Sequence, residues 1–145
     1  MIALLQRVAQ ASVDVDGRRV AEIGRGLLVL LGMERGDTPA TADRMLDRLL
    51  NYRVFADESG RMNLSVRDTG GGLLLVPQFT LAADTLKGTR ASLSRAADPD
   101  AGQALFGALV EQAGRRHRDV AAGVFGAYMQ VALTNDGPVT FILHA

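Results

Sequence analysis

Apolar residues come in short runs whose period changes along the chain. Val13 and Val15 alternate with Ser12 and Asp14, a period of two that suits a strand with one face in the core. Leu27-Leu28-Val29-Leu30-Leu31 is continuously apolar, as in a strand covered on both faces. The first third therefore predicts short strands at Ile2 to Val8, Ser12 to Val15, Arg19 to Ile23 and Gly26 to Leu31, with Asp16-Gly17 as a tight hairpin turn. The period then becomes helical. Asp37-Thr38-Pro39 offers a cap and a first-turn proline, followed by Ala42, Met45, Leu46, Leu49 and Leu50.

Asp57-Glu58-Ser59-Gly60 reads as a turn, and Gly70-Gly71-Gly72 as a flexible turn into the apolar strand Leu73 to Val76. No lysine-serine or lysine-threonine pair follows the glycines, so they are not a phosphate loop. A second helix starts at Asp98-Pro99, runs through Leu105, Leu109 and Val110, and ends near Gly114. Alternation returns at Met129, Val131 and Leu133; Asn135-Asp136-Gly137-Pro138 then turns the chain into Val139 to Leu143. The expected architecture is one α/β domain over residues 1–145, with a mainly antiparallel, barrel-like sheet and two principal helices. Strand order is not readable from the pattern.

Composition narrows the functional classes. With 48% hydrophobic and 22% charged residues the chain is neither disordered nor fibrous. No apolar run approaches the roughly 20 residues of a spanning helix, and Arg7 follows the first apolar residues, so neither a membrane span nor a signal peptide is expected. The absence of cysteine removes thiolate catalysis and Cys-based zinc sites, and is compatible with the cytoplasm, the expected compartment. Sixteen basic residues balance sixteen acidic ones, so any nucleic-acid contact has to be local. Lys87, Arg90 and Arg95 form one candidate patch; Arg115, Arg116 and Arg118 form another.

Familiar catalytic equipment is missing. His117 and His144 have no ligand partner at metal spacing, so no metal or organic cofactor is expected, and His117 between two arginines reads as a surface residue. There is no Gly-x-Ser-x-Gly elbow to present a serine.

Two segments carry the functional reading: Pro77-Gln78-Phe79-Thr80-Leu81 at the end of a buried strand, and Asn135-Asp136-Gly137-Pro138-Val139-Thr140 near the end of the chain. With Met1-Ile2-Ala3-Leu4-Leu5-Gln6-Arg7-Val8, Gly26 to Gly32, Met62-Asn63-Leu64-Ser65 and Leu81-Ala82-Ala83-Asp84-Thr85, they resemble the D-aminoacyl-tRNA deacylases over nearly the whole chain. The resemblance implies a homodimeric hydrolase that cleaves the ester of tRNA carrying a D-amino acid or glycine. Gly137-Pro138 would be cis and would enter the partner subunit's site, where its carbonyls hold the substrate amino group and exclude an L side chain. An X-Pro bond makes this accessible, since cis costs only about 0.5–1 kcal/mol there. Arg7 would brace that motif. Backbone N–H groups near Phe79 and Thr80 would form an oxyanion hole beside Gln78, with attack assisted by the terminal ribose 2′-hydroxyl. Phe125 and Met129 would line the adenine pocket.

Without the resemblance these residues have plainer readings. Arg7 is a strand residue paired with a surface acid, Thr80 a β-branched residue at a strand end, and Phe125 and Met129 are core. Thr80 also remains open as a side-chain nucleophile. Two departures stand out: Pro77 replaces the family's usual serine, and Arg90-Ala91-Ser92-Leu93 replaces the usual Arg-Pro-Ser-Phe. Proline at the first position also occurs in a sister group of animal deacylases, but Phe79, Val139-Thr140 and Arg7 favour the main family. The alternatives are a non-catalytic RNA-binding dimer that sequesters charged tRNA ends, and a small-metabolite-binding scaffold that lost activity through Pro77.

Overall fold

The computed structural model describes residues 1–145. Its organising element is β1 (Ile2–Val15), a strand of 14 residues where the sequence predicts two. Val8-Ala9-Gln10-Ala11 contains no glycine or proline to break the strand, so it continues through exposed Ala9 and Gln10. On one edge, Ile2–Val8 pairs with β3 (Gly26–Gly32) and Ala11–Val15 with β2 (Arg18–Ile23), both antiparallel. On the other edge, β1 pairs with β8 (Met129–His144) from Ile2↔His144 to Val15↔Met129.

The sheet is mixed. β3 runs parallel to β6 (Gly72–Pro77), and β6 parallel to β7 (Val120–Ala122), giving the order β2-β1-β3-β6-β7 with β8 on the far edge of β1. The end strands β2 and β7 approach each other, so the sheet curls into a nearly closed barrel. The three ladders of β1 are antiparallel, as expected of a mainly antiparallel sheet, and the two parallel ladders follow from the continuously apolar sequences of β3 and β6. Leu27, Val29, Leu31, Leu73 and Leu75 face one core, while Leu28, Leu74 and Val76 face a second one inside the barrel with Val8, Val13 and Ile23.

The larger core lies under α1 (Pro39–Asn51) and α3 (Pro99–Arg116), which supply Met45, Leu46, Leu49, Leu50, Leu105, Phe106 and Leu109. The cap of α1 is Thr38, whose hydroxyl accepts from Thr41 N at 3.2 Å. Asp37 instead accepts from Glu34 N at 2.7 Å and from the Met1 amino group at 2.8 Å. A single-turn helix, α2 (Val66–Thr69), follows a two-stranded ribbon of β4 (Phe55–Ala56) and β5 (Met62–Leu64). Its signal was present as Ser65-x-x-Asp68, a capping box in which Ser65 Oγ donates to Asp68 at 2.6 Å and accepts from Asp68 N at 3.2 Å.

Three expectations need correction. The glycine triplet is not a flexible turn: Gly70 ends α2 at φ 65°, and Gly72 lies in β6 against Gly26, where a Cβ on Gly26 would fall 2.0 Å from the Gly72 carbonyl oxygen. His117 is not a surface residue. It is 9% exposed at the end of α3, with Nε2 2.7 Å from the Gly71 carbonyl, because the buried Ala113 side of α3 carries its last turn inward toward β7 and the residue preceding β6. Finally, Asn135 to Pro138 do not connect two strands. β8 keeps one direction throughout, and the single β1 residue Arg7 lies between the pairs Gln6↔Thr140 and Val8↔Asn135, so residues 136–139 arch out of the ladder.

Candidate active site

The last residue of β6 is Pro77, opposite Leu31 of β3. Gln78 N continues that ladder to Leu31 O at 2.7 Å, after which the chain tightens into a 3₁₀ turn, Phe79–Ala82. The first N–H groups of such a turn have no partner within it. Those of Phe79 and Thr80 find no acceptor elsewhere in the protein, whereas Leu81 N and Ala83 N bond back to Gln78 O and Thr80 O. Thr80 is exposed, and its Oγ1 accepts from Gln78 Nε2 at 2.5 Å.

Beside this strand end lies a mostly apolar cavity of about 430 Å³. Pro77, Gln78 and Phe79 form one wall; Phe125 and Met129 form another, with Ala97 and Pro99 at the start of α3 between them. A turn closed by Ala127 N to Val124 O at 3.3 Å directs Phe125 inward, where its ring sits 6.2 Å from that of Phe106. The absence of a side chain at Gly102 makes room for it: a Cβ there would meet Phe125 Cζ at 3.2 Å. Met129 Sδ accepts from Val124 N at 3.3 Å. Four of the eight anticipated residues, Gln78, Phe79, Phe125 and Met129, thus share one cavity, while Thr80, the next residue after Phe79, is not part of its lining.

Arg7, Gly137 and Pro138 gather elsewhere, at the arch of β8. The Gly137-Pro138 peptide is cis, and both residues are exposed. Arg7 holds the near side of the arch, with Nε donating to the Asp136 carbonyl at 2.8 Å and Nη1 to the Val54 carbonyl at 2.6 Å. Its guanidinium also lies 3.6 Å from the Asp136 carboxylate. Asn135 closes the base: Oδ1 accepts from Val139 N at 2.8 Å, while Nδ2 donates to Val139 O at 3.2 Å and Thr140 Oγ1 at 3.1 Å. The sequence motif contains Asn135 without marking it as a site residue. Its position at the start of a Gly-Pro excursion, where an amide can serve donors and acceptors together, was the available signal. The cavity and the arch do not share a lining residue within one chain.

The anticipated basic patches differ in how free they are. Arg115 pairs with Glu111, and Arg116 with Asp43 and Asp47. Arg95 pairs with Glu34 at 3.1 Å. Burial pushes the Glu34 carboxyl up, but the Met1 amino group and Arg95 outweigh it and hold it below the usual range. Lys87 and Arg90 are exposed and form no ion pair. No three His, Asp or Glu side chains converge into a ligand set, and no helix is long and apolar enough to cross a membrane.

Residues 4–144 match the family model described as D-Tyr-tRNA(Tyr) deacylase. The chain belongs to that family. It is accordingly a hydrolase, as the names of its relatives also indicate. The D-aminoacyl-tRNA deacylase of Thioalkalivibrio sulfidiphilus is 64% identical, the match covering 99% of this chain and 96% of the relative. That of Azotobacter vinelandii is 62% identical over the full length of both. A solved structure named c-Myc DNA Unwinding Element Binding Protein superposes with a TM-score of 0.95 at 41% identity, covering 100% of this chain and 99% of its own. A probable eukaryotic D-amino acid tRNA deacylase, 19% identical with a TM-score of 0.83 over 99% of this chain and 98% of its own, shares the fold. Pro77, in the wall of the cavity, offers it no hydroxyl.

Proposed function

We propose that the protein hydrolyses the ester linking a D-amino acid, or glycine, to the end of tRNA, and does so as a homodimer in the cytoplasm. The observation that carries the reading is the pair of unpartnered N–H groups at Phe79 and Thr80 beside an apolar cavity. The cavity accepts the terminal adenosine against Phe125 and Met129. Water attacks the ester carbonyl, the developing oxyanion is met by the two N–H groups, and the ester C–O bond breaks as the departing ribose oxygen takes a proton. One such donor is worth about 3–4 kcal/mol to the transition state. The ribose 2′-hydroxyl assists the attack, so no side-chain nucleophile is needed.

Chirality is read by main chain. The arch of β8 places the Gly137 and Pro138 carbonyls in the partner subunit's cavity, where they receive the substrate amino group and leave no space for an L side chain. Two features support assembly in pairs. The outer edge of β8 is unpaired along 16 residues, and it carries exposed Leu133, Phe141 and Ile142. A long apolar edge of this kind calls for a cover.

Incubation with D-Tyr-tRNA and L-Tyr-tRNA tests the reading: release of D-tyrosine alone is expected. A tRNA ending in 2′-deoxyadenosine should be turned over poorly, while Thr80→Ala should keep much of the rate. An inactive but folded Thr80→Ala, together with normal turnover of the deoxy substrate, would make Thr80 the nucleophile. Protection of the ester without release would instead indicate a nucleic-acid-binding protein, a reading that the name of the 41%-identical structure favours.

A further inference from the structure

Tyr128 is out of place for a large aromatic residue: it lines the cavity yet is 87% exposed. The turn that directs half-buried Phe125 inward is responsible, since Gly126 takes φ 75° and the next aromatic is rotated outward. Phe79, on the opposite wall, is 57% exposed. The segment Ala83–Ala96 leaves the cavity wall after the Phe79–Ala82 turn and returns to it at Ala97. It carries Lys87 and Arg90, both exposed and without ion pairs. Its one acid, Asp84, spends a carboxylate oxygen on Leu86 N at 3.0 Å. Single-stranded nucleic acid is bound where bases stack on exposed aromatic rings and phosphates meet free cations, and here the rings lie on the cavity and the cations on the loop that leaves and rejoins its wall.

We propose that the cavity rim is a track for the unpaired nucleotides preceding the terminal one, with Tyr128 as the stacking surface and Lys87 and Arg90 as phosphate contacts. This rests on the proposed deacylase reading. A cavity of about 430 Å³ suits a single nucleoside, so the next base in the strand must lie beyond it, against the exposed face of Tyr128 on its rim. Stacking tolerates any base, so the track contributes affinity for a strand and not a sequence preference.

The test compares D-Tyr-tRNA with D-tyrosyl-adenosine, which has only the terminal nucleoside. Tyr128→Ala should raise KM for the tRNA roughly 5- to 150-fold more than for the adenosine ester, and Tyr128→Phe should restore it. Lys87→Ala with Arg90→Ala should raise KM for the tRNA preferentially and flatten its salt dependence, by a slope of about 0.7 per lost contact. Equal losses on both substrates, no loss on either, or failure of Tyr128→Phe to restore KM would overturn the track. So would a change of sedimentation with Tyr128→Ala, which would place the ring at a subunit contact. If the unaltered protein hydrolyses neither substrate, the deacylase reading itself falls, and the track with it.

Discussion

Arg7 joins two carbonyls from distant parts of the chain, those of Val54 and Asp136, through one guanidinium whose side chain is only 14% exposed. Lysine has all its donors on one nitrogen, whereas the two carbonyls are met by separate nitrogens, Nε and Nη1, of the planar guanidinium. Arg7→Lys should therefore lose one charge-assisted hydrogen bond, about 1.5–3 kcal/mol, and let the arch drift. Thermal melts should fall by several degrees. With the arch displaced by about 1 Å, kcat/KM for D-Tyr-tRNA should drop about a hundredfold. A melt that falls while kcat/KM holds would mean that Arg7 supports the fold alone.

Gly137→Ala acts at the tip of the same arch. The new Cβ would lie 2.7 Å from Val139 Cγ2 and 2.8 Å from Val139 N, at φ 152°, a backbone conformation that L side chains rarely adopt. The arch must shift, so turnover of D-Tyr-tRNA should fall at least a hundredfold in a protein whose circular dichroism is little changed. Wild-type turnover by the alanine variant would show that this backbone is not part of the selecting surface.

His117 predicts the opposite separation. Its buried ring bonds the Gly71 carbonyl and lies outside the cavity, so His117→Ala should cost about 1–3 kcal/mol of stability by stranding that carbonyl. The kcat measured well below the melting temperature should be unaffected. A pH-rate profile that loses a limb in the variant would count against this purely structural assignment.

Asp57 gives a pH dependence. Hydrogen bonds from the Ser59 hydroxyl, the Asn63 amide and the Arg61 and Ser59 N–H groups pull its carboxyl from 3.8 down to about 2. A carboxyl lowered in the folded state stabilises fully above its unfolded value, and that contribution is lost as pH falls through the folded one. The difference in melting temperature between the unaltered protein and Asp57→Asn should thus shrink between about pH 4 and pH 2. A difference independent of pH would assign the turn's order to backbone contacts.

Much of this was legible in the sequence, for reasons that differ by element. β3 and β6 were readable because both of their faces are buried, leaving no polar interruption. The two long helices were readable from apolar spacing and a first-turn proline in each. Strand order was not, since parallel pairing of β3 with β6 depends on how Gly26 meets Gly72 in space. The site divided in the same way. Gln78, Phe79, Phe125 and Met129 were anticipated and share a cavity, whereas the role of Asn135 required seeing that Val139 returns over it. His117 departs from the surface expectation because its charged neighbours mark the helix surface, while its own position is the helix end turned toward Gly71.

The long ladder between β1 and β8 sets an order of assembly. Ile2 pairs with His144, so the first strand to be synthesised waits for the last. Until then β1 has β2 and β3 on one edge and nothing on the other, and Arg7 has no Asp136 carbonyl to grip. Contacts so distant in sequence form late and slowly. The helices and the centre of the sheet find their partners without β8, whereas the proposed selecting arch takes shape only when β8 pairs with β1.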